Sequence, residues 1–187
     1  MKNAINCFFI ICLLALLHAA CAPNQEPGCG EKKIRDSVAL VYPDTFSVYF
    51  QLDEKSVDVT QSFPLEHWEV DAVKVYIKGP DTFDLAWTRS HGLFNISKGM
   101  DYMKNKALQD SIFGVQCKYS IYQVKMNELT GAIGDYTYLN YKELRFLGES
   151  DKSGYVLRAR WKTNLQNEKV KDDFTCLLNS ITFTKVP

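Results

Sequence analysis

The chain has 187 residues, of which 46% are apolar, 13% aromatic and 24% charged, with 10 Gly and 6 Pro. This excludes a disordered, collagenous or low-complexity protein and suits one domain of ordinary size with a real core. The 22 basic and 22 acidic residues cancel, so no chain-wide field draws in nucleic acid, and no nucleic-acid partner is expected.

The first feature in chain order is Lys2 followed by a 13-residue run from Ile5 to Leu17, apolar except for Asn6, and then His18, Ala19, Ala20 and Cys21. The run is short for a bilayer span of about 20 residues, and small residues follow it, so residues 1–20 read as a signal peptide. Ala19-Ala20-Cys21 resembles the lipobox of bacterial lipoproteins, in which the cysteine is acylated and becomes the mature N-terminus. His18 departs from that pattern, which usually has Leu there. The resemblance implies lipidation at Cys21 and a membrane partner through the lipid anchor, with free secretion as the alternative. Residues 21–36 hold Pro, Gly and polar side chains without apolar periodicity and read as a flexible tether, leaving 37–187 as a single domain.

Cys7 and Cys12 lie in the leader, so Cys21, Cys29, Cys117 and Cys176 remain to the mature chain. Acylation of Cys21 leaves three, enough for one bridge at most. Strand parity turns Cys117 inward, whereas Cys176 falls off the apolar stripe of its helix, so a bridge between those two is not favoured. No metal site is expected. There is no CxxC or HxxxH, and His67 and His91 stand far apart.

Ser37 to Tyr42 and Thr45 to Leu52, separated by Pro43-Asp44, read as two short strands or one broken strand. Val70 to Ile77 alternates, Gly79-Pro80-Asp81 breaks it, and Phe83 to Thr88 completes a hairpin. Ile96, Met100, Met103, Ala107 and Leu108 share a helical face, which predicts a helix to about Ser111 capped by Asn95 or Ser97, with the methionines as core packing. Val115 to Ile121 alternates, and the parity then shifts to Tyr122, Val124 and Met126, which suggests a β-bulge. Gly131 and Gly134 suggest a loop. Asp135 to Leu147 reads as one long aromatic strand that turns at 148–154 into Tyr155 to Lys162. A second helix follows from about Glu168, with Val170, Phe174, Leu177, Leu178 and Ile181 on one stripe, and Ile181 to Lys185 ends the chain as a strand.

Strands joined mostly by hairpins, with two main helices, make the expected class α+β with an antiparallel sheet flanked by helices. The order resembles the PsbP-like superfamily over about Ser37 to Phe183. The resemblance is carried by the strand ending at Tyr42-Pro43, the hairpin from Leu144 to Trp161 and the closing helix through Phe174-Thr-Cys-Leu-Leu-Asn-Ser-Ile-Thr-Phe183. It implies a central antiparallel sheet in a superfamily that includes lipoproteins and the extrinsic subunit of photosystem II. None of these segments is a catalytic motif.

Chemistry leaves few candidates. The chain has no GxSxG and no phosphate-cradling GxxxxGK[ST], and the pairing of His91 with Cys117 is disfavoured because a buried thiol is inert. Asn95-Ile96-Ser97 matches a glycosylation sequon but suits a helix cap better. Tyr136, Tyr138 and Tyr141 with Trp161 could form a ligand platform, the competing reading being that half of them line the core. The expectation is therefore a non-enzymatic envelope protein without cofactor, held by lipid on the periplasmic or outer face and acting by binding, another envelope protein being one partner. Alternatives are an immunity protein that neutralises a toxin and a secreted enzyme with a carboxylate-based site.

Overall fold

The computed structural model describes residues 33–41, 45–62, 70–90 and 94–187. The leader, Cys21, Cys29, the Tyr42-Pro43 turn, His67 and His91 lie outside the described residues.

The described strands are β1 (Lys33–Val41), β2 (Thr45–Asp53), β3 (Val57–Asp58), β4 (Ala72–Lys78), β5 (Asp81–Arg89), β6 (Lys118–Met126), β7 (Leu129–Thr137), β8 (Tyr141–Ser150), β9 (Tyr155–Asn164) and β10 (Thr182–Lys185). Helix α1 (Ile96–Ile112) stands between β5 and β6, and α2 (Val170–Asn179) between β9 and β10. Seven strands form one sheet in the order β3-β4-β5-β9-β8-β7-β6, and a small sheet has the order β1-β2-β10. Every pairing among the described residues is antiparallel. The class is α+β, as expected, with the small sheet as an addition.

Alternation along the strands sends side chains to both faces of the large sheet, and each face has its own core. On one face, Tyr76, Phe83, Leu85, Trp87, Leu144, Phe146, Leu157 and Trp161 meet Val48 and Phe50 of β2 and Phe174, Leu177 and Leu178 of α2. Rings set the order there: Tyr76 stacks on Phe83 at 5.1 Å, Phe83 on Trp161 at 4.5 Å, and Trp161 meets the edge of Phe174 at 6.3 Å. On the other face, Met103 and Ala107 of α1 pack on Ala132, Tyr136 and Tyr138. The molecule has three layers: small sheet with α2, large sheet, then α1.

This two-sided burial corrects several expectations. β6 pairs with β7 residue for residue, without a bulge. The parity shift arises because Ile121 packs beneath α1 while Val124 and Met126 face the main core. Gly131 and Gly134 lie inside β7 rather than in a loop. A Cβ on Gly131 would stand 2.4 Å from the Leu147 carbonyl oxygen, and one on Gly134 would stand 2.6 Å from the Tyr136 ring. Close approach requires these glycines. The long aromatic strand is two strands, β7 and β8, folded at a turn in which the Tyr138 amide donates to the Tyr141 carbonyl at 2.9 Å. Asn140 sits in that turn, and the aromatic run around it hides it from the pattern. The first strand begins at Lys33, so the last four residues of the expected tether, 33–36, are strand.

The helices follow their stripes closely. Asn95 caps α1, its Oδ1 accepting from the Ser97 and Lys98 amides at 2.9 and 3.3 Å. Leu108 is the exception: it is exposed, one residue beyond the buried edge at Ala107. On α2, Cys176 is buried although the stripe excludes it. It is held in a disulfide. Cys117 is free, so the partner is another cysteine and lies outside the described residues. The expectation that Cys117 and Cys176 are not joined agrees with this.

Candidate functional site

The four aromatic residues expected as one platform are split between the two faces. Trp161 lies in the main core, where its indole N–H donates to Asp81 Oδ2 at 3.1 Å. Tyr136 and Tyr138 are buried on the opposite face, and Tyr141 is half-buried beside them. A single platform of these residues is therefore not formed, because adjacent parity positions of the sheet serve different cores.

The tyrosines instead form a ladder beneath α1. Tyr138 stacks on Tyr141 at 4.4 Å and on Tyr136 at 6.4 Å. Tyr136 donates its hydroxyl to the Met103 carbonyl at 3.1 Å, and Tyr138 donates to Asp110 Oδ2 at 2.9 Å. These bonds dock α1 by its backbone and by its last turn. The Arg145 guanidinium lies 4.5 Å from the Tyr136 ring centre and donates to the Tyr138 hydroxyl at 3.3 Å, while pairing with the buried Glu143 carboxylate. The Lys162 ammonium caps the outer ring, 4.2 Å from the Tyr141 centre.

Burial pushes the Tyr136 phenol up to about 12, and burial followed by the Asp110 carboxylate pushes Tyr138 up as well. Burial acts to lower Arg145, but the Glu143 carboxylate outweighs it and the guanidinium is held above its ordinary value. These groups stay protonated at neutral pH and act as fixed donors, not as bases.

Beside the ladder, a cleft of about 320 Å³ opens between α1 and strands β5, β9 and β8. Asp84, Tyr102, Lys106, Arg145, Arg158 and Arg160 line it. Asp84 is buried and accepts from Arg160 Nε at 2.8 Å; burial raises its carboxyl above the usual range while Arg160 opposes that rise. Lys106 reaches Asp110 at 3.2 Å. Four cations thus share the cleft with the Asp84 carboxylate, and two of them, Lys106 and Arg145, also pair with Asp110 and Glu143 beside it. Guanidinium forks fixed this way suit the recognition of an acidic group on a partner.

Cys117 is half-buried under α1, and burial followed by the nearby Asp110 carboxylate raises its thiol. A raised thiol is a poor nucleophile. The basic cleft is the feature that sequence reasoning missed. Its signal was present as Arg158 and Arg160 on the non-core parity of β9, next to Arg145 on β8, but only the register brings the three together.

No family model and no curated protein matches the chain. Among solved structures, it is similar to cyanobacterial PsbP (CyanoP) from Synechocystis sp. PCC 6803, with 15% identity and a TM-score of 0.52 over 84% of this chain and 98% of that one. It is also similar to the Ran-binding protein Mog1p of Saccharomyces cerevisiae, with 6% identity and a TM-score of 0.49 over 81% of this chain and 96% of that one. The likeness to CyanoP shows that the domain has a PsbP-like fold.

Proposed function

We propose that the protein is exported, acylated at Cys21 and held at the cell envelope, where it acts by binding a partner rather than by catalysis. The observation that carries this reading is the disulfide at Cys176, since such a bond persists in an oxidising compartment and is rare in the cytosol. The apolar run ahead of Ala19-Ala20-Cys21 supports the same address. Binding rather than catalysis is supported by the cleft beside α1, where Lys106, Arg145, Arg158 and Arg160 suit an acidic group on a partner.

Replacing the acylated thiol tests the anchor. Cys21→Ser should abolish incorporation of labelled fatty acid into the protein. Continued incorporation would contradict lipidation at this residue.

A further inference from the structure

One end of the molecule carries apolar side chains that the fold leaves uncovered. At the end of α1, Ile112 and Phe113 are 80% and 82% exposed, and Leu139, at the turn between β7 and β8, is 84% exposed. Val115 adds to them. Side chains of this size left open at one end of a fold mark a contact surface. The Tyr138 hydroxyl bond to Asp110 ties the Leu139 turn to the last turn of α1, so these residues project from one tip.

The sheet register places this tip on the same end as the start of β1. Lys33 pairs with Asp53, and Asp53 meets Lys78 at 3.2 Å. Lys78 pairs with Asp81, Asp81 bonds Thr163, and Thr163 pairs with Lys142. Lys142 pairs with Thr137 and Thr137 with Lys118, the last residue of the tip segment. From β4 to β6 this row crosses five strand spacings, about 24 Å at about 4.8 Å each. With Cys21 acylated and the leader removed, Cys29 would be left to hold Cys176, which lines one pocket with Lys33, so the eight steps from Cys21 to Cys29 would set the reach, at most about 29 Å. An anchor at Cys21 and the apolar tip can therefore meet the same plane.

Charge points to what that plane is. The tip segments 111–118 (SIFGVQCK) and 137–142 (TYLNYK) contain no Asp or Glu and each ends on Lys, while the carboxylates that adjoin them, Asp110 and Glu143, are paired with Lys106 and Arg145. Bulky apolar residues backed by lysine suit the headgroup boundary of an anionic bilayer. We propose that Ile112, Phe113 and Leu139 form a second membrane contact, inserting into the leaflet that carries the lipid anchor. The proposal rests on the Cys21 anchor for the orientation of the domain. Docking on the bilayer would leave the opposite end, with the turn from β8 to β9 at 151–154, facing away from it.

A tryptophan reporter tests the insertion. Phe113→Trp is placed in the membrane-purified protein and reconstituted into phosphatidylcholine and phosphatidylglycerol vesicles with brominated acyl chains. The signal of Trp68, Trp87 and Trp161 is subtracted using the parent protein. The added emission should shift to the blue and be quenched, since an interfacial side chain lies about 5–10 Å into the boundary. Lys152→Trp, at the opposite end, should keep water-like, unquenched emission. In parallel, the unacylated Cys21→Ser protein should bind the same vesicles, and adding Phe113→Ser or Leu139→Ser should weaken binding about tenfold or more each. A reporter at 113 that stays unquenched on vesicles, whether solvated or covered by another protein, would overturn the proposal. So would serine variants that bind vesicles like their parent. Intact mass decides acylation independently, so failure of the anchor and failure of the tip give different results.

Discussion

Phe174→Ala should lower the free energy of unfolding by about 3 to 5 kcal/mol. Phe174 is almost fully buried, and its ring packs T-shaped against Trp161, which in turn stacks on Phe83. Truncation removes the contact that joins α2 to the large sheet and leaves a cavity walled by rings, which are too stiff to collapse into it. Phe174→Leu, which keeps most of the volume, should cost less, about 1.5 kcal/mol or below. Equilibrium urea unfolding followed by near-ultraviolet circular dichroism measures both. Against a total stability of about 5–15 kcal/mol, the alanine loss is large. An unchanged midpoint for Phe174→Ala would mean that α2 is not held by this side chain.

Asp81→Ala should cost a comparable amount, about 3 kcal/mol or more, through a different mechanism. The buried Asp81 carboxylate accepts from the Trp161 indole at 3.1 Å, from the Asn167 amide at 2.9 Å and from the Thr163 hydroxyl. It joins the start of β5 to the end of β9 and to the loop leading into α2. Alanine removes the acceptor of the Trp161 and Thr163 donors, while the Asn167 amide keeps Thr163 Oγ1 at 3.2 Å, and each buried unsatisfied group costs about 1–3 kcal/mol. Asp81→Asn keeps the shape but turns an NH2 toward donors, so it should also destabilise. Thermal unfolding together with tryptophan emission reads the effect. A variant within about 0.5 kcal/mol of its parent would show that water replaces the carboxylate, as at an ordinary surface site.

How far the sequence foretells this molecule depends on how many faces an element buries. Helix α2 shows one apolar stripe, and its pattern leads directly to Phe174 in the core. β7 is buried from both sides, so its glycines that admit Phe146 and Tyr136 mimic a loop, and edge strand β6 turns Ile121 toward α1 but Val124 and Met126 toward the main core, so alternation there mimics a bulge. The same ambiguity misplaces the aromatic platform: Trp161 and the tyrosines are close in the chain's aromatic pattern yet lie on opposite faces. The basic cleft needs three cations from two strands and one from a helix, and such a site is visible only once register is known. Cys176 shows another limit, since a bond to a distant cysteine overrides the stripe that would leave it at the surface.

The anchor and the export it requires underlie the functional reading, and intact mass of the protein recovered from cells tests both at once. The expected species is a polypeptide that begins at Cys21 and carries the added mass of acyl chains, found with the membranes. A chain that retains Met1 through Pro187 at its unmodified mass, dissolved in the cytosolic fraction with Cys176 reduced, would contradict it.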